Sequence, residues 1–194
     1  MKMAKNNTKM IMNYLLRNFD LKNINQISKE LKISLGSVFK ILKNLEANKI
    51  VSFSKLGNAI YYTLNLENKE TFKILELMIL EERRTLNGYA ELYAREIESF
   101  KEAELIIIFG SVLKNNSFND IDVLFMTSEV KKVSKFCLEI SKIKSKPVVP
   151  LILNKKDLIE EIKNKKSSIL EIIKTGVVLK GEDSFLEVIK NAKK

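Results

Sequence analysis

The 194-residue chain contains no histidine and a single cysteine, Cys137. Those absences exclude histidine acid–base catalysis, a cysteine-rich zinc site and a disulfide within the chain. Arginine is nearly as scarce. Of 34 basic residues only Arg17, Arg83, Arg84 and Arg95 are arginine, so contacts to phosphate would fall mostly to lysine, a point charge rather than a planar fork. No apolar run approaches the length of a secretion signal or a membrane span, so the expected location is the cytoplasm. There is no internal repeat and no low-complexity linker. Cys137 lies at helical spacing with Val133, Phe136 and Ile140, which predicts core packing rather than reactivity.

What the chain has in plenty is positive charge, unevenly placed. The formal net charge is +10. Residues 1–66 hold eleven Lys or Arg against three acids, which is +8, so the remaining residues carry only +2. The asymmetry predicts a polyanion partner for the first third, bound through phosphate neutralisation and counterion release. Anionic membrane is the weaker alternative, because a basic helix with a large aromatic face is missing. The expected partner is double-stranded DNA, with no membrane. The charge and the patterning together divide the chain into 1–66, a helical connector over 67–88, and a second domain over 89–194.

In the first segment, Ile11, Met12, Leu15, Leu16 and Phe19 recur at helical spacing, and Ile24 to Leu31 reads as a second helix. Lys32-Ile33-Ser34 makes a short turn, with Ser34 as N-cap of a third helix over Leu35 to Asn48. Strand-like runs at Ile50–Ser54 and Ala59–Leu64 flank Gly57-Asn58, a hairpin turn signal. On the third helix Leu35, Val38, Leu42 and Leu45 should face the core, with Gly36, Ser37, Lys40, Lys43 and Asn44 outward. Phe39 and Ile41 flank the stripe and are ambiguous: they read as core edge first, and as a dimer or interdomain contact second.

Residues Asn23 to Asn65, with Leu42 and Leu45 followed by Asn48, Lys49, Ile50 and Val51, resemble archaeal and bacterial winged-helix transcription regulators. The resemblance implies that Ser34, Ser37, Lys40, Lys43 and Asn44 lie against DNA, the outward face of the third helix entering the major groove. Lys55 in the wing would reach a flanking backbone. A winged helix can also serve as a protein-interaction module, and the +8 charge favours nucleic acid.

The chemistry-bearing stretch is Leu105 to Phe125. Leu105 to Phe109 is a short β-branched run suited to a buried strand, and Gly110 ends it. Ser111 opens a helical turn whose amides can face a phosphate. After a polar loop comes Asp120-Ile121-Asp122-Val123, where strand periodicity puts both carboxylates on one face. Adjacent aspartates repel unless a cation lies between them, and hard divalent ions take carboxylate together with phosphate oxygens.

Phe-Gly-Ser after one strand and Asp-x-Asp on the next resemble the minimal nucleotidyltransferases of the DNA polymerase beta superfamily, over roughly Tyr89 to Gly181. The resemblance implies that Gly110 and Ser111 contact a nucleoside triphosphate and that Asp120 and Asp122 hold magnesium as the catalytic pair. The departures are a short loop, Asn115 where glycine is usual, and no third carboxylate on the expected strand, Pro147 to Leu153. Asp157 reads as a helix-start acid, which leaves Asp157, Glu139 or a substrate oxygen to replace the missing group.

These readings predict an α+β chain: an N-terminal winged helix-turn-helix, a helical connector, and a nucleotidyltransferase-like mixed sheet with flanking helices. The expected function is a DNA-binding regulator or chromatin-type protein, with magnesium and nucleoside triphosphate as possible ligands at a weakened or silent transferase site. The alternatives are an active magnesium-dependent nucleotidyltransferase and an antitoxin-like autoregulator. The apolar face of the connector, Phe72, Leu75, Met78 and Ile79, either pairs with its copy, which gives the expected homodimer, or covers its own domain.

Overall fold

A computed structural model describes residues 2–114 and 118–194; Asn115, and with it the reading of that position, lies outside the described residues. The chain is α+β and divides into two compact units, residues 1–78 and 79–194.

The first unit runs α1 (Lys2–Arg17), β1 (Lys22–Asn23), α2 (Ile24–Leu31), α3 (Leu35–Ala47), β2 (Val51–Leu56) and β3 (Ala59–Leu64). Helices α2 and α3 start where polar side chains satisfy otherwise unbonded amides. Asn23 Oδ1 accepts from the Gln26 amide at 3.0 Å while Gln26 Oε1 accepts from the Asn23 amide at 2.9 Å, a reciprocal cap on α2. Ser34 caps α3 by accepting from the Ser37 amide. Ile11, Leu16, Ile27, Val38 and Leu42 are fully buried, and β3 joins them through Tyr62 and Leu64. The two-residue β1 pairs with β3 and extends the hairpin to three strands in the order β1-β3-β2. Such a short strand carries no periodicity, so the sequence does not announce it. Leu35 departs from expectation. It is 50% exposed, because the first turn of α3 projects past the core that Val38, Leu42 and Leu45 reach.

Helix α4 (Lys69–Arg83) spans the division between the units, with Leu75 and Ile79 buried. The second unit continues with α5 (Gly88–Ile97), β4 (Leu105–Phe109), a 3₁₀ turn (Ser111–Leu113), β5 (Ile121–Met126) and α6 (Val130–Ile143). It closes with β6 (Val148–Leu153), α7 (Lys155–Lys163), α8 (Ser167–Thr175), β7 (Val177–Lys180) and α9 (Glu182–Ala192). The sheet order is β6-β5-β4-β7, antiparallel except for the parallel β5–β6 pair.

Strand alternation gives this sheet two apolar faces. Ile106, Ile108, Ile121, Val123, Phe125 and Val148 form one core with Tyr93 and Ile97 of α5 and Val133 and Cys137 of α6. Leu105, Ile107 and Leu124 face the opposite way, and α8 and α9 contact β4 there. Cys137 is 2% exposed, and burial pushes its thiol up to about 11, as its core position demands.

Strand β6 is an edge, as Pro147 and Pro150 predict. Pro147 and Leu153 direct their carbonyls to β5, so alternation turns the backbone groups of Val148, Pro150 and Ile152 toward the open edge. Pro150 has no amide to offer there, and the Val148 amide is taken by Ser141 Oγ at 2.9 Å. The open edge is thereby blunted against pairing with another strand. Among the described residues no helix is long and apolar enough to cross a membrane.

Candidate functional site

The β4-to-3₁₀ connection holds Gly110 at φ +85° and ψ −154°, a conformation closed to L side chains. Conformation is only half of the reason for glycine. A Cβ at Gly110 would run into Oδ2 of Asp122, so the carboxylate lies directly against the glycine backbone. Ser111, exposed at the start of the 3₁₀ turn, lies at the same end of the sheet.

Asp122 is half-buried within β5, and its register partners are Phe109 on β4 and Val149 on β6. Register partners project to the same face. A row Phe109, Asp122, Val149 therefore crosses the sheet at this end. Asp120 precedes β5, which begins at Ile121, so it approaches from the entering loop rather than from the strand as periodicity predicts. The two carboxylates still feel each other. Asp122's pKa is raised, first by burial and then by the negative charge of Asp120.

Val149 is 44% exposed and occupies the neighbouring position where a further carboxylate would stand beside Asp122. The candidate replacements are not brought to this end. Asp157 follows β6 at its far terminus, beyond Leu153, which lies about 13 Å along the strand from Val149. Its backbone amide and carboxylate are both engaged in a cap with Asn154, at 2.9 and 2.7 Å. Glu139 on α6 borders an open groove with Ser99, Lys101 and Glu102, where the chain enters β4, at the opposite end from Gly110. Among the described residues no three Asp, Glu or Cys side chains cluster as a metal site.

The residues present suit a divalent ion that arrives with a triphosphate. Two carboxylates, one partly desolvated and raised by the other, supply hard oxygen donors, and water or phosphate oxygens would complete the shell. Glycine at 110 lets the Asp122 carboxylate approach the backbone of the turn, where a side chain would push it away. One group missed by sequence reading borders this end: Lys114, just past the 3₁₀ turn, has Nζ 3.7 Å from Glu171 Oε1 of α8. Its place in the polar loop after Ser111 was the available signal.

In the first unit, Ser37, Lys40, Lys43 and Asn44 lie on α3 and Lys55 on β2. Lys40, Lys43, Asn44 and Lys55 are exposed and Ser37 is half-buried. Ser34 is occupied locally, since its hydroxyl donates to Ser37 Oγ at 2.8 Å while capping α3. Lys43 is also engaged within the unit, 2.9 Å from Glu46 and 6.0 Å above the Phe53 ring. Such an exposed pair is weak and exchanges readily for phosphate. The structure adds two residues to this face: Asn7 and Thr8 of α1 line a groove of about 300 Å³ with Ser37, Lys40, Ile41 and Asn44.

Comparison with known families finds that residues 93–185 match the family described as Polymerase beta, Nucleotidyltransferase. No curated protein and no solved structure matches the chain. The matched span contains Gly110, Ser111, Asp120 and Asp122 and ends inside α9. The second unit thus carries a nucleotidyltransferase-like domain.

Proposed function

We propose that this protein is a DNA-binding winged-helix regulator, of transcriptional or chromatin type, whose nucleotidyltransferase-like domain binds a magnesium nucleoside triphosphate with weakened or silent transfer chemistry. The observation that carries the second half is Val149. An exposed valine stands beside Asp122 at the register position open to a further acid, and the site stops at two carboxylates. Magnesium, when bound, supplies neutralisation of the triphosphate charge. Asp120 and Asp122 would hold it, and the backbone at Gly110 and Ser111 would seat the phosphates.

The first half is supported by the order helix, short strand, two helices and hairpin, with polar and basic residues outward on α3 and +8 of charge in residues 1–66. The exposed Lys40 and Lys55 would meet phosphate and Ser37 and Asn44 base edges. Exposed Leu77 and Leu80 on α4 favour a homodimer presenting two such faces; sedimentation of Leu77→Lys should then report monomer.

The test is a paired one. Calorimetric titration of magnesium ATP, with the other triphosphates in parallel, should give binding to the native protein and none to Asp120→Ala with Asp122→Ala. A gel shift at low salt should give duplex binding that Lys40→Glu with Lys43→Glu weakens. Failure of the first removes the ligand site, and failure of the second removes the DNA reading. The alternative, an active transferase passing a nucleoside monophosphate to a protein or nucleic-acid hydroxyl with release of pyrophosphate, is favoured by the close seating of Gly110 on Asp122. It requires label transfer from α-labelled triphosphate that Asp122→Ala abolishes.

A further inference from the structure

Helix α3 contains a glycine that its own fold does not require. Gly36 lies in the first turn of α3, where glycine lowers helix stability relative to alanine. Its backbone is not left-handed, and a Cβ placed there meets nothing within 4 Å. Neither strain nor crowding inside the unit explains the choice. Three residues on, and so adjacent on the helix surface, Phe39 is 51% exposed. With Leu35 and Ile60, also exposed around the same groove, Phe39 forms a contiguous apolar patch of the kind that marks an interaction site.

The immediate surroundings restrict what can bind there. Lys40 follows Phe39 and is exposed, and Lys55 is exposed on the hairpin, so the charge around this patch is complementary to a polyanion. The open groove beside Phe39, about 520 Å³ and bounded also by Leu35, Gly36 and Ile60, has no charged residue in its lining. No arginine occurs in α3 to read guanine with a planar fork; of its two lysines Lys43 is paired with Glu46, and Lys40 is assigned above to phosphate. The one apolar group that the major groove offers among its hydrogen-bonding edges is the C5 methyl of thymine.

We infer that α3 selects thymine: the bare backbone at Gly36 lets the helix approach the floor of the DNA major groove, and Phe39 packs on a thymine C5 methyl beside it. The inference rests on the DNA-binding reading above and adds its base preference. Asn44, farther along α3, has the amide that pairs with adenine N6 and N7. Both contacts point to A·T pairs.

The experiment uses the full chain and fluorescence anisotropy with two probes, a poly(dA-dT) duplex and the same duplex with deoxyuridine replacing thymidine. Wild type should bind the thymidine duplex at least about fourfold more tightly, the equivalent of one buried methyl group. Phe39→Ala should bind both duplexes alike, with a thermal melt lowered only slightly because half of the side chain is exposed. Gly36→Ala should melt at a higher temperature yet bind the thymidine duplex more weakly, a combination that a purely structural glycine would not give. Equal binding of both duplexes by wild type overturns the inference, as does discrimination that persists in Phe39→Ala. Binding to neither duplex at low salt overturns the DNA reading itself.

Discussion

Gly110 and Asp122 are seated so closely that a single methyl group on the first would collide with the carboxylate of the second. The pair links the end of β4 to the start of β5, the two strands that present the candidate ligand site.

Gly110→Ala is therefore expected to fail twice. The φ of +85° strains any L residue, at about 1–3 kcal/mol, and the added carbon displaces Asp122 from its place. Thermal melting should drop and magnesium ATP binding by calorimetry should vanish. Retained binding with a lowered melt would show that the site does not depend on this seating.

Asp122 carries a pH signature. Its folded pKa lies above the unfolded value, through burial first and Asp120 second, so the fold favours the protonated carboxyl. Ionisation of Asp122 thus costs stability as pH rises past the carboxylate range, and the cost is absent below it. Without divalent ion, Asp122→Asn should melt above wild type at neutral pH, by less than about 1 kcal/mol for so accessible a charge. The difference should disappear as pH falls to about 4. A difference independent of pH would assign the effect to packing instead.

Local patterns that carry their own physics were legible in the sequence, and relations between distant segments were not. The cap at Ser34, helix α2 from Ile24 to Leu31 and the edge strand with its two prolines follow from hydrogen-bonding capacity and periodicity within a few residues. The closeness of Gly110 to Asp122 and the alignment of Val149 with Asp122 depend on register, which no local pattern fixes. The distance of Asp157 and Glu139 from the carboxylate pair escaped for the same reason. Leu35 was misplaced because helical spacing extends an apolar stripe one turn beyond the core it meets.

Val149→Asp tests the register directly. A third carboxylate beside Asp122 should lower stability slightly in chelator, by like-charge repulsion, and strengthen divalent binding. The rise in melting temperature on adding magnesium should exceed that of wild type, about 1.4 kcal/mol for each tenfold gain in affinity. A magnesium response no greater than that of wild type would mean that position 149 does not reach the ion.

Arg83 supplies the last test, remote from any ligand. Its guanidinium bonds Glu91 and donates to Glu98 Oε2 from Nε at 3.0 Å and from its terminal nitrogen at 2.8 Å, so one side chain ties the end of α4 to both ends of α5. Burial works against its charge, but these bonds prevail and keep its pKa raised. Glu91 is held lowered in turn, first by Arg95 and then by Arg83. Arg83→Ala removes the bonds to Glu98 and leaves Glu91 to Arg95 alone, and should lower stability in urea denaturation by no more than about 1 kcal/mol, because both carboxylates reach water. Arg83→Lys should recover only part of this, because an ammonium cannot reproduce the fork that serves both glutamates. Equal stability of the lysine variant and wild type would show that charge alone, and not the planar geometry, joins the helices.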